Sequence, residues 1–164
     1  MTSRRHFIKT SLTAATGMSL APLIAQAPAS SAGPIVLSTW NFGLETNKSA
    51  WEILSVGGTA LDAVEAGARK AEDDLHSTSV GLAGWPDREG KTTLDACIMD
   101  HDYNCGSVCF LEQIKNPVSV ARKLMETTPH VMLAGSGAQQ WAFENGFERD
   151  TYVNPEATKA YQEW

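Results

Sequence analysis

Three thiols (Cys97, Cys105 and Cys109) and four imidazoles (His6, His76, His101 and His130) are the obvious candidates for nucleophilic or metal chemistry. Their spacing speaks against both. No C-x-x-C pair occurs and the histidines are scattered, so no metal-ligand pattern forms and no metal or cofactor is expected. Cys105 and Cys109 fall in a strand-like run, where positions four apart share a face but stand too far apart to bridge. They read as buried core thiols, with a bridge from Cys97 to either of the others left open. Serine chemistry fares no better. Gly135-Ser136-Gly137 lacks the flanks of a Gly-x-Ser-x-Gly elbow and reads as a helix cap. Asp95, an acid inside an apolar strand, reads as a hydrogen-bonded structural carboxylate. Asp87, Asp100 and Asp102 fit turns. No Gly-x-Gly-x-x-Gly follows a strand, so nucleotide binding is unsupported. Trp40, ending an apolar run, and Ser79, opening a glycine-rich turn, read on their own as a core aromatic and a turn residue.

The elements that must position these residues follow from periodicity and turn chemistry. Pro34 to Trp40 is a nearly continuous apolar run, the pattern of a strand buried on both faces. A short helix is expected from Lys48 to Leu54, capped by Asn47. Thr59 and Asp62 form a capping-box variant that starts a second helix, with Leu61, Val64, Ala68 and Ala71 at helical spacing and Glu72-Asp73-Asp74 ending it. Thr92 to Met99 and Gly106 to Leu111 read as an antiparallel hairpin turning over Asp100 to Asn104. Pro117 fits the first turn of a helix capped by Asn116 and running to about Glu126. His130 to Ala134 is a short strand, and Ser136 caps a helix that Gly146 closes. Asn154-Pro155 opens a last helix, whose stripe of Ala157, Tyr161 and Trp164 still runs at the final residue and reads as a chain cut in mid-element. This order implies an α/β layered domain over residues 34–164.

The amino-terminal residues carry a different message. Arg4-Arg5 with Phe7 precedes a moderately apolar run from Ser11 to Ile24, and small residues follow. The pattern reads as an export signal of the twin-arginine type over residues 1–29, with residues 30–33 as a linker. Its apolar run is too short and too polar to span a membrane. A periplasmic or secreted protein is expected. Without Arg4, Arg5 and Lys9, the 13 basic residues fall to 10 against 19 acidic, a net charge of −9. Such a surface argues against nucleic acid, and against a membrane partner once the signal is removed.

Six segments together resemble the amino-terminal α-part of the glycosylasparaginase family. They are Val36-Leu37-Ser38-Thr39-Trp40-Asn41-Phe42; Gly57-Gly58 with Ala60-Leu61-Asp62-Ala63-Val64-Glu65; and Ser79-Val80-Gly81 with Gly84-x-Pro86-Asp87. Thr93-Leu94-Asp95-Ala96-x-Ile98-Met99-Asp100, Ile114-Lys115-Asn116-Pro117-x-x-Val120-Ala121-Arg122 and Thr128-Pro129-His130-Val131-Met132-Leu133 complete the set. The likeness runs from about residue 34 to the end, in the family's order and spacing.

The resemblance implies an αββα sandwich of the N-terminal-nucleophile hydrolases, incomplete at the carboxyl end. In that family the precursor cuts itself before a threonine, whose freed α-amine serves as base for its own hydroxyl. An amine of pKa about 7.7–8.0 suits that role near neutral pH. The hydroxyl attacks the side-chain amide of a glycosylated asparagine, and oxyanion donors stabilise the tetrahedral states. The family's His-Asp-Thr-Ile-Gly-Met junction is absent, and Asp150-Thr151 is a dipeptide decoy. No catalytic nucleophile is therefore expected within the chain, which alone should be inactive and prone to aggregate. A β-part carrying the threonine is the implied partner, in a dimer of α/β pairs. Three positions match residues lining the family's site: Trp40, Ser79 and, as a neighbour of Trp40, Phe42. Two other readings stand beside this one: an isoaspartyl peptidase or L-asparaginase of the same superfamily, and a non-catalytic exported domain.

Overall fold

A computed structural model describes residues 33–164, so the export signal and linker residues 30–32 lie outside the described residues. Two helices come first, α1 (Gly43–Ser55) and α2 (Ala60–Glu72). They pack closely because Gly67 faces the Thr46 carbonyl, where a Cβ would stand only 3.0 Å from the oxygen. Gly57, at φ 86°, turns the chain between them. Thr59 caps α2 as expected: its Oγ1 accepts the Asp62 N–H at 3.1 Å and donates to the Asp62 carboxylate at 2.7 Å. That exchange satisfies an orphan donor of the first turn.

After a long connection come β1 (Leu94–Met99) and β2 (Cys105–Leu111), then α3 (Pro117–Thr127), β3 (Met132–Ala134), α4 (Gly135–Glu144) and α5 (Pro155–Glu163). The sheet order is β1-β2-β3, with β1 antiparallel and β3 parallel to β2. The hairpin turn is built as its acid suggested: Asp100 Oδ1 accepts the N–H groups of Asp102 and Asn104, both at 2.9 Å. A bulge between Leu94 and Ala96 places Asp95 to accept the Phe110 N–H at 2.8 Å. Asp95 is thus hydrogen-bonded as expected, but exposed rather than buried.

One face of the sheet carries the core. Ile98, Val108, Leu111, Ile114, Val118, Val120 and Ala121 cluster with Ala138 and Ala142 of α4. Arg122 ties α2 to α3, its Nη1 lying 2.7 Å from both Asp62 and Glu65 while Nε reaches Glu126 at 2.8 Å. Cross-strand partners share a face, so Cys97, Met99, Cys105, Ser107 and Met132 lie on the opposite one. There Met99 and Met132 stay more than half exposed. The expected core thiols are corrected here: Cys97 is exposed, Cys105 and Cys109 are half-buried, and all three are free. Their strand positions face away from the side on which α3 packs.

Other expectations change for local reasons. The run 34–40 forms no strand. Among the described residues no strand takes up its N–H and C=O groups, and Ile35 and Leu37 are 75% and 88% exposed. Helix α1 starts five residues before Lys48, because the Gly43 N–H donates to the Trp40 carbonyl at 2.8 Å and opens the first turn there. Asn47 is therefore inside the helix, where its Oδ1 accepts from Ser38 Oγ. Ser136 does not cap α4, which begins one residue earlier at Gly135, after Ala134. Val64 stands out of the α2 stripe, 54% exposed. The α/β class holds, and a second sheet is not found among the described residues. No helix among them is long and apolar enough to cross a membrane.

Candidate functional site

Trp40 and Phe42 are brought together by the start of α1. Ser38 anchors the extended segment to the helix through Thr46, Oγ to Oγ1 at 3.0 Å, and Gly43 leaves room for the close crossing beside Ser38. The chain then turns, Asn41 Oδ1 accepting the Phe42 N–H at 3.1 Å. Trp40 and Phe42 line a groove of about 380 Å³ between this segment and the helix pair, walled by Ala50, Leu54, Ala63 and Ala68. Trp40 is 69% exposed, so its indole is a surface over the groove and not a core aromatic. Phe42, Thr46 and Ala71 also border a second hollow of about 500 Å³ that continues past Lys70, Asp74, His76 and Ser77. The two hollows thus share a wall made by Phe42, Thr46 and Ala71.

Ser79 lies elsewhere. It sits in a separate hollow of about 440 Å³ with Glu72, Thr93 and Asp95. The link to the first two hollows is short: Ser79 Oγ is 3.4 Å from Ser77 Oγ, and Ser77 lines the second. The turn holding Ser79 is shaped by Gly81, at φ 74°, and by the Trp85 N–H donating to the Thr78 carbonyl at 3.0 Å. Asp150-Thr151 falls in the irregular stretch before α5, well away from all three residues in sequence and bordering a different hollow.

The residue that the periodicity hid is Glu72. It is 6% exposed at the end of α2. Oε1 accepts the Val118 N–H at 3.0 Å, and Oε2 accepts from Asn116 Nδ2 at 3.3 Å. Asn116 consequently does not cap α3 as expected. Its amide is spent on Glu72 and Asp73, and Glu72 takes over the cap from another element. The sequence did hold a signal, since Glu72 lies four residues after Ala68 and eleven after Leu61, on the buried stripe. Burial pushes its carboxyl up to about 7, against the pull of the Val118 and Asn116 bonds; Asp73 raises it further and Arg69 lowers it.

The sign of the consequence is fixed. A carboxyl raised on folding favours the folded state below its unfolded value near 4.5, and that contribution is lost as pH rises through 7. Between pH 5 and 8 this group should lower unfolding free energy by about 2–2.5 kcal/mol. Denaturant melts of the full-length protein should show that fall in the native sequence and a much smaller one in Glu72→Gln. Equal falls in both would refute it.

Among the described residues no histidine side chain is hydrogen-bonded to a serine, threonine or cysteine side chain; His101 meets only Asp102. Nor do His, Cys, Asp and Glu gather there in groups of three able to hold a metal. The described residues therefore offer walls and hydrogen-bonding groups, without an activated nucleophile of their own.

A family model described as asparaginase matches residues 36–164. The chain belongs to the asparaginase family. Among its curated relatives is an N(4)-(beta-N-acetylglucosaminyl)-L-asparaginase of Elizabethkingia miricola, 52% identical over 99% of this chain and 49% of the relative. Proteins of the same name from Rattus norvegicus and Mus musculus are 39% and 40% identical, each over 80% of this chain and 38% of the relative. The chain thus spans about half the length of the bacterial relative and less of the mammalian ones. The likeness to this asparaginase family that the six motifs suggested is shown.

Proposed function

We propose that this chain is the amino-terminal part of an exported hydrolase that cleaves the side-chain amide of N-glycosylated asparagine. The observation that carries the reading is the 52% identity to the Elizabethkingia miricola protein, sustained over 99% of this chain. The nucleophile is a threonine beyond residue 164, freed by self-cleavage of the precursor. Its own α-amine takes the hydroxyl proton and the oxygen attacks the side-chain carbonyl; the C–N bond then breaks as that proton passes to the departing glycosylamine, and water hydrolyses the resulting β-aspartyl ester to release aspartate. Trp40 and Phe42 wall the site and exclude water, which strengthens every polar contact inside it. Ser79 donates a hydrogen bond near the reacting threonine.

The remaining half supplies more than the nucleophile. The exposure of Met99 and Met132 on the sheet face away from α3 supports a second sheet packed against them, which would complete an αββα sandwich. The paired-arginine leader supports export to the periplasm or beyond, where the protein acts as a dimer of α/β pairs.

The family description, asparaginase, is broader than the relatives' shared name, and it favours a second reading as an isoaspartyl peptidase or L-asparaginase. Turnover of GlcNAc-Asn and of β-aspartyl dipeptides by the full-length protein separates them. Higher kcat/KM on GlcNAc-Asn is expected. Cleavage of the dipeptides alone would move the assignment to the second reading.

A further inference from the structure

Glu72 is the one buried carboxylate among the described residues, and the site proposed above does not use it. Three parts of the chain converge on it. Its carboxylate reaches the first turn of α3 through the Val118 N–H and the preceding loop through Asn116. Its main chain supports the Ser79 turn. A Cβ at Gly81 would collide with the Glu72 carbonyl oxygen and stand 3.0 Å from its Cα, so the turn is seated directly on the end of α2. Ser79 and Glu72 then face the same hollow, together with Thr93 and Asp95.

We propose that Glu72 is a positioning residue for Ser79, clamping the end of α2 to the start of α3 so that the Ser79 turn keeps its working geometry. This rests on Ser79 serving the site as read above. The bond pattern assigns the working state to the ionised carboxylate, since both oxygens act as acceptors. A proton on Oε2 places a donor against the Asn116 amide and removes that bond. The charged groups around it are Arg69 from α2, Asp73 just past its end, Lys115 (3.2 Å from Asp73) from the loop, and Asp95 from β1 across the hollow. Pro117 and Val118 of α3 and Thr78 of the turn bring no charge. With the carboxyl raised to about 7 by burial, the change of state falls within the range where an amine-based hydrolase works.

The test uses the full-length protein and GlcNAc-Asn. Glu72→Gln keeps the shape but cannot ionise, so it should lower kcat at pH 8 on the order of tenfold to a hundredfold, the scale of a mispositioned site. Its melts at pH 8 should be no weaker than those of the native sequence, which separates positioning from simple loss of fold. Asn116→Ala removes one bond that favours ionisation and should move the acid limb of the pH profile upward. In a Ser79→Ala background, adding Glu72→Gln should cost little more, because both act through one group. Equal losses from Glu72→Gln in both backgrounds, or acid limbs unmoved by both variants, would overturn the proposal. If Ser79→Ala itself left turnover intact, the reading of Ser79 would fail, and the proposal for Glu72 with it.

Discussion

Gly106→Ala in the full-length protein is expected to cost roughly 4 kcal/mol of unfolding free energy, a loss reserved for a few named mechanisms. Gly106 lies in β2 where α3 crosses the sheet. A Cβ there would run into the Ala121 carbonyl oxygen and stand 2.8 Å from Met125 Cβ and 3.0 Å from the Met125 nitrogen. Two of those three atoms are helix backbone, which no rotamer change can move. Retreat of α3 would pull Val120, Ala121 and Leu124, all 0% exposed, away from the atoms they pack against. Overpacking a well-filled core usually costs about 1–3 kcal/mol, and a backbone collision belongs above that range. Against a total of about 5–15 kcal/mol, such a loss leaves little folded protein. Denaturant melts check it. A midpoint within about 1 kcal/mol of the native sequence would mean that α3 and the sheet are less tightly joined than their contacts imply.

Residues 1–164 alone are expected to release no aspartate from GlcNAc-Asn, while the full-length protein does. The difference should be large. Removing the nucleophile from an enzyme that uses covalent catalysis costs on the order of a millionfold, and on the proposed reading the loss would include the surface that orients the substrate. Nothing among the described residues replaces it. The thiols lie on the sheet face away from α3, with Cys109 raised above its ordinary range chiefly by the hydrogen bond with Asp95, which leaves little thiolate. Ser79 has Ser77 as its hydroxyl neighbour and no base. Trp40 and Phe42 bring apolar area to their groove, with no group that can attack.

What was readable in the sequence was what neighbours in the chain decide. The Thr59–Asp62 cap, the Asp100 turn and Pro117 at the head of α3 depend on residues within a few positions, and the structure keeps all three. The run 34–40 has the composition of a strand, but pairing is a property of two segments, and no segment among the described residues pairs with it. The cap of α3 shows the same limit. Asn116 is the adjacent candidate, yet Glu72, more than forty residues earlier, reaches Val118 first because α2 ends beside that helix. The site follows suit. Trp40 and Phe42 fall together because one turn separates them, whereas the distance from both to Ser79 is set by how α2 and its following loop pack. Cys97, Cys105 and Cys109 misled because an apolar strand has two faces, and alternation alone does not say which one a helix will cover.

Aspartate release from GlcNAc-Asn, measured side by side on residues 1–164 and on the full-length protein at equal concentration, bears most directly on the claim that this chain frames a site whose attacking group lies in its other half. The account predicts steady release from the full-length protein and none above the uncatalysed background from residues 1–164. Release by the shorter chain would contradict it, and so would a full-length protein that leaves the glycosylated asparagine intact.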